Sequence, residues 1–181
     1  YFEYYFKDIR KIIRKNRRSI AVLNGKETHE EMKGLASDIF LYFGLGCRNV
    51  SKVFLPKGYK LDKLFEVFFP FQDIVKHKKY GNNYDYNKSI FLMGNNKLVE
   101  NGFLLMKEDE SLQSPVSMLF YEFYEDLEKV KCYIHKNADL LQCVVSKEDI
   151  VEKNTSFGET QNPQLWDYAD NVDTIEFLMS L

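Results

Sequence analysis

Two apolar periods alternate along this chain, and that alternation limits the folds open to it more than any other feature. Short apolar runs suited to buried strands are separated by stretches with apolar residues at three- and four-residue steps, the signature of one helix face. Residues 19–23 (SIAVL) read as a buried strand closed by the turn pair Asn24-Gly25, and residues 50–55 as a second, ended by Pro56-Lys57-Gly58. Between them a helix is expected from Thr28, where Thr28 and Glu31 make a Thr-x-x-Glu capping box. Its core face is Met32, Leu35, Ala36, Ile39, Phe40 and Phe43, and Gly44 is placed just past its end. Residues 60–69, 84–94, 127–136 and 173–181 read as further helices, and residues 103–106, 116–123 and 140–145 as further strands. Residues 2–13 also read as an amphipathic helix. Its polar face carries Lys7, Arg10, Lys11, Arg14 and Lys15, and the basic run continues to Arg17 and Arg18. Strands alternating with helices predict an α/β fold with a mainly parallel sheet flanked by helices. No repeat and no dividing linker is present, so residues 1–181 are expected to be a single domain.

Composition narrows the function classes. A chain of 181 residues buries roughly 68–70% of the surface its unfolded form exposes, so it needs neither disulfides nor a metal to hold together. Twenty-five basic against 27 acidic side chains, a net charge of −2, argue against wholesale binding of nucleic acid or anionic membrane. No run of about 18 apolar residues is present, so no membrane span is expected. The odd, sparse set Cys47, Cys132 and Cys143 suits free thiols of a reducing compartment, which makes the cytoplasm the expected location. His29 falls in the capping box and His135 near a helix end, neither at metal-ligand spacing with a cysteine, so no metal is expected. The first residue is Tyr1 rather than Met, which suggests a piece of something longer.

The stretch Gly44-Leu45-Gly46-Cys47-Arg48-Asn49 carries the chemistry. A helix ends at a glycine, a second glycine lets the backbone turn tightly, and a cysteine is presented just before a strand. Such a turn can hold a nucleophile at a sheet edge, and the backbone amides of Gly46 and Cys47 can donate to a developing oxyanion. Arg48 is placed to lower a thiol pKa by proximity. A buried structural thiol is the plainer reading of the same spacing.

The runs SIAVLNGKET (19–28) and DIFLYFGLGCRNVSKVFLP (38–56) resemble the catalytic domain of the long-chain acyl-CoA reductase family. That family is a branch of the aldehyde dehydrogenase superfamily and includes the fatty-acid reductase component of luminous bacteria. Ser114-Pro115-Val116 with the elements that follow is similar to the superfamily's Gly-Pro-Val region, and the tail PQLWDYAD (163–170) is similar to this family's C-terminal end. The resemblance implies Cys47 as covalent nucleophile, an acyl-CoA substrate and NADPH as cofactor. It also implies a homo-oligomer or a fatty-acid reductase complex as partner. The superfamily's cofactor-ribose glutamate falls on Ser111, with Glu110 beside it. Its water-activating glutamate falls in Arg14-Lys15-Asn16-Arg17-Arg18, where no carboxylate stands. That departure favours reduction of an acyl thioester over oxidation of an aldehyde. No Gly-x-Gly-x-x-Gly is present in a strand-turn-helix setting, so the nicotinamide-binding half is expected to lie outside these residues. The alternative is a non-catalytic interaction module that keeps the fold and uses the basic helix from Lys7 to Arg18 and the aromatic tail.

Overall fold

The computed structural model describes residues 1–14 and 16–180; Lys15 of the basic run and Leu181 of the tail lie outside the described residues. Six strands form one sheet: β1 (Arg18–Val22), β2 (Val50–Pro56), β3 (Val99–Glu100), β4 (Leu105–Glu108), β5 (Met118–Tyr124) and β6 (Leu141–Ser146). Their order across the sheet is β3-β4-β5-β2-β1-β6. Every pairing is parallel except β3 with β4. The expected mainly parallel α/β sheet is what the chain forms.

Period-two alternation decides what each face of the sheet buries. Ala21, Leu23, Val53, Leu55, Leu119 and Val145 point to one face. There they pack on α2 (His29–Phe40) and α3 (Asp62–Phe68) through Leu35, Ala36, Ile39, Leu64 and Phe68. Ile20, Val22, Phe54 and Val144 point to the other face, against Val130 and Ile134 of α5 (Leu127–Lys136). On that same face Phe120 and Leu105 meet Tyr84 of α4 (Lys78–Met93). The capping box of α2 forms as expected, with Thr28 Oγ1 accepting from the Glu31 amide and Glu31 Oε2 accepting from the Thr28 amide.

Three expectations need correction. The N-terminal helix shrinks to α1 (Phe2–Tyr5), with no buried residue, so the basic helix running to Arg18 does not exist. Like charges at i, i+3 and i+4 repel one another along such a helix, and an aromatic face stabilises it only where something covers that face. Turns follow α1 instead, and the chain is held to the C-terminal tail by Arg14 Nη1 to Asp170 Oδ2 at 2.9 Å and to the start of β6 by Arg17 Nη1 to the Leu141 carbonyl at 3.0 Å. The helix expected at 84–94 begins six residues earlier, at Lys78. Finally, the strand expected at 103–106 is shifted to Leu105–Glu108, because Asn101 Oδ1 accepts from the amides of Phe103 and Leu104 and holds them in a turn. No helix among the described residues is long and apolar enough to cross a membrane.

Candidate functional site

The turn carrying Cys47 is built by what stops α2. The helix ends at Phe40, and Tyr42, Phe43 and Gly44 follow with φ of 54°, 61° and 70°. Two of these three left-handed residues are aromatic, a conformation that costs roughly 1–2 kcal/mol for each L-residue. Asn49 offsets the cost. Its Nδ2 donates to the Asp38 carbonyl at 3.0 Å and the Leu41 carbonyl at 2.8 Å, satisfying orphan groups of the helix end. Its Oδ1 accepts from the Gly46 amide at 2.9 Å. Asn49 is buried, so the loop from Leu41 to Arg48 is fixed at both ends by one side chain.

Cys47 lies exposed in this turn, at the edge of the sheet from which β1, β2 and β6 start. Exposed Leu41, Tyr42 and Leu45 flank it in sequence. Ser19, wholly buried at the start of β1, ties the turn to its neighbour strand. Its hydroxyl donates to the Cys47 carbonyl at 2.9 Å and accepts from the Cys143 amide at 3.1 Å. Arg48 does not serve Cys47 as the sequence suggested. Its Nη1 lies 3.4 Å from Cys143 Sγ and 3.2 Å from the Thr160 carbonyl, and its Nη2 is 3.4 Å from the Asp167 carbonyl. Burial pushes the Cys143 thiol pKa up, and the Arg48 charge opposes that shift. Of the other two thiols, Cys143 is buried and Cys132 is exposed on α5.

The C-terminal segment is clamped over α2 beside this turn. Asp38, buried on the helix, accepts from the Gly158 amide at 2.7 Å, the Thr160 amide at 3.2 Å and the Thr160 hydroxyl at 2.7 Å. A cavity of about 650 Å³ opens between this segment and β6, with Arg48, Cys143, Thr155 and Trp166 in its lining. Trp166 and Tyr168 stay exposed rather than joining the core.

Glu110 and Ser111 lie exposed in the loop from β4 to β5. That loop is strapped to β2 just after the cysteine turn: Lys52 Nζ donates to the Glu110 carbonyl at 2.8 Å, and Ser51 Oγ to the Leu112 carbonyl at 2.7 Å. Lys52 is fully buried, its ammonium also 2.7 Å from Glu122 Oε2. Glu110 and Ser111 line a cavity of about 400 Å³ together with Arg18 and Tyr133. The Arg18 Nε is buried there without a hydrogen-bond partner. Beside it, Asp109 has its pKa lowered to about 2: burial pushes it up, but Lys107 and the two donors of Ser111 outweigh that.

Sequence reasoning missed Ser19, Asp38 and Lys52. Asp38 and Lys52 carried a signal, since each is a charged residue at a core-facing position of an apolar period. Ser19 carried none. Among the described residues no cluster of His, Cys, Asp and Glu is arranged to hold a metal ion.

No family model matches the sequence, and no curated protein matches it. Solved structures do match in fold. A Delta-pyrroline-5-carboxylate dehydrogenase from Mycobacterium tuberculosis superposes with a TM-score of 0.50 at 13% identity, over 74% of this chain and 30% of its own. An NAD-dependent aldehyde dehydrogenase from Sinorhizobium meliloti gives 0.47 at 10% identity, over 82% of this chain and 34% of its own. The chain spans about a third of the length of the solved structures it matches. At such identity the likeness is one of fold: the chain has an α/β architecture like that of part of an aldehyde dehydrogenase.

Proposed function

We propose that these residues are the nucleophile-bearing catalytic domain of an acyl-CoA reductase, which converts a fatty acyl-CoA to an aldehyde through a thioester on Cys47. The observation that carries this reading is the exposed Cys47, held by Asn49 and Ser19 in a fixed turn at the edge of such a sheet. The Cys47 thiolate attacks the acyl carbonyl, and the CoA thiolate leaves. Because Asn49 occupies the Gly46 amide, the Cys47 amide is the turn's donor to the oxyanion. The stretch where a water-activating carboxylate would stand presents Arg14, bonded to Asp170, and Arg17, bonded to the Leu141 carbonyl, and neither can activate water against the thioester. A reduced nicotinamide, NADPH in this reading, would supply the hydride when bound, and Cys47 would leave as thiolate when the aldehyde forms. The orphaned Arg18 Nε beside Glu110 and Ser111 fits such a group: the guanidinium suits an anionic or hydroxyl oxygen, and Glu110 suits a ribose hydroxyl. The domain that binds the rest of the cofactor lies outside these residues in this reading.

Exposed Leu165, Trp166 and Ile175 favour a second reading, a module that binds a partner through its tail without catalysis. Incubation with a long-chain acyl-CoA followed by intact-mass measurement separates the two. An acyl adduct on Cys47, cleaved by hydroxylamine and lost in Cys47→Ala, is expected. Iodoacetamide should label Cys47 faster than Cys132 or Cys143. An adduct elsewhere, or none, overturns the enzyme reading.

A further inference from the structure

Cys143 is a buried nucleophilic group that the proposed reaction leaves unused, yet the fold sets it beside Cys47. One hydroxyl, Ser19 Oγ, spans the gap between the two backbones, 2.9 Å from the Cys47 carbonyl and 3.1 Å from the Cys143 amide. Chains held that closely can bring their Cα atoms within the roughly 4.4–6.8 Å that a disulfide requires. The Cys47 side chain is exposed, so turning it toward Cys143 displaces no buried side chain and leaves the Asn49 and Ser19 bonds of the turn in place. Cys143 in turn borders the cavity of about 650 Å³, which leaves its side chain room to rotate.

We infer that Cys47 and Cys143 are a peroxide-responsive pair that closes an intramolecular disulfide across the start of β1. Hydrogen peroxide is the oxidant. The Cys47 thiol gives up its proton, the thiolate attacks one peroxide oxygen, the O–O bond breaks, and the hydroxide expelled takes up that proton to leave as water, with Cys47 left as sulfenic acid. The Cys143 thiol then attacks the Cys47 sulfur, losing its proton as the S–S bond forms, and the hydroxide expelled from Cys47 takes up that proton and leaves as water. Two thiols and one peroxide thus give one disulfide and two waters, with two electrons passing from sulfur to peroxide.

The two thiols have different parts in this. Cys47 is exposed and meets peroxide first. Cys143 is shielded from solvent, which keeps it from meeting peroxide first, and the Arg48 guanidinium 3.4 Å from its sulfur is placed to stabilise negative charge as that thiol loses its proton in the second step. Cys132 is exposed on α5 and shares none of these contacts. The disulfide would hold Cys47 in a form that thiols can reduce, whereas sulfinic acid is beyond their reach. The inference does not require Cys47 to be an acyl acceptor, so it stands or falls separately from the proposed reaction.

The test treats the reduced chain with a small excess of hydrogen peroxide, blocks free thiols with N-ethylmaleimide in denaturant, and maps peptides by mass spectrometry. The expected product is monomeric, lacks the mass of two hydrogens, contains a Cys47–Cys143 peptide pair, and is restored by dithiothreitol. Cys132→Ser should behave like the wild type. Cys143→Ser should accumulate Cys47 sulfinic acid several-fold faster. Sulfinic acid on Cys47 of the wild type with Cys143 still alkylated overturns the inference, and so does a disulfide between two chains or one involving Cys132. Because the peptide map of the wild type decides the matter, a poorly folding Cys143 variant does not blunt the test.

Discussion

Asp38 puts a carboxylate where the helical period asks for an aliphatic side chain, and the fold uses it as a fastener. Its three donors all come from Gly158 and Thr160, so one side chain seats the C-terminal segment on α2. Burial raises the Asp38 pKa, the donors opposing it. The folded state therefore holds a proton that the unfolded chain has released, in a window just above the ordinary carboxylate range. Stability from this group is fully present below that window and declines as pH rises through it. Asp38→Asn places an amide donor against one of the donors already there, at a cost of about 2 kcal/mol. The expected result in urea unfolding is a deficit for Asp38→Asn that is largest near pH 4 and narrows as pH rises. A deficit that widens with pH would mean the carboxylate is better stabilised folded than unfolded.

At the level of elements, α2 is fixed at its start by the capping box, at its end by Asn49, and along its side by Gly34. A Cβ on Gly34 would stand 2.7 Å from the Phe157 carbonyl carbon and 2.8 Å from the Gly158 amide. Gly34→Ala sets a helix propensity gain of about 1 kcal/mol against an overpacking cost of about 1–3 kcal/mol on rigid backbone. Packing should win, and the variant should unfold at lower urea than the wild type; a stabilised variant would mean the segment does not rest on α2 in solution. The four principal strands, α2 and α5 were legible in the sequence because each repeats a period long enough to read. The helix expected at residues 2–13 failed because its period had no partner surface, which no local pattern reveals. The two-residue strand β3 is too short to carry a period at all. At the site, Cys47 and its glycines were legible as a turn. Ser19 joining Cys47 to Cys143, and Arg48 turned toward Cys143, were not, since those contacts link positions 28 to 124 residues apart.

The whole molecule presents one sheet covered on both faces, with Cys47 at the edge where β1, β2 and β6 begin. Hydride transfer needs its donor held within roughly 3–3.5 Å of the reacting carbon. In the proposed division of labour the 181 residues hold only one side of that encounter. Mixed with acyl-CoA and NADPH, they should form the acyl adduct while NADPH absorbance stays constant and no aldehyde appears. Steady NADPH consumption would show that the described domain binds the cofactor by itself. The strand order also carries a consequence for how the chain is made. β1 leaves the ribosome before the other five strands of its sheet, yet its neighbours are β2 and β6, and β6 ends at Ser146. At about 5–20 residues per second, the edge of β1 waits on the order of ten seconds for its last partner. During that wait Ile20 and Val22 face solvent without α5. The earliest-made strand of this sheet is thus among the last to be enclosed, which makes residues 18–22 a segment that a chaperone would have cause to cover.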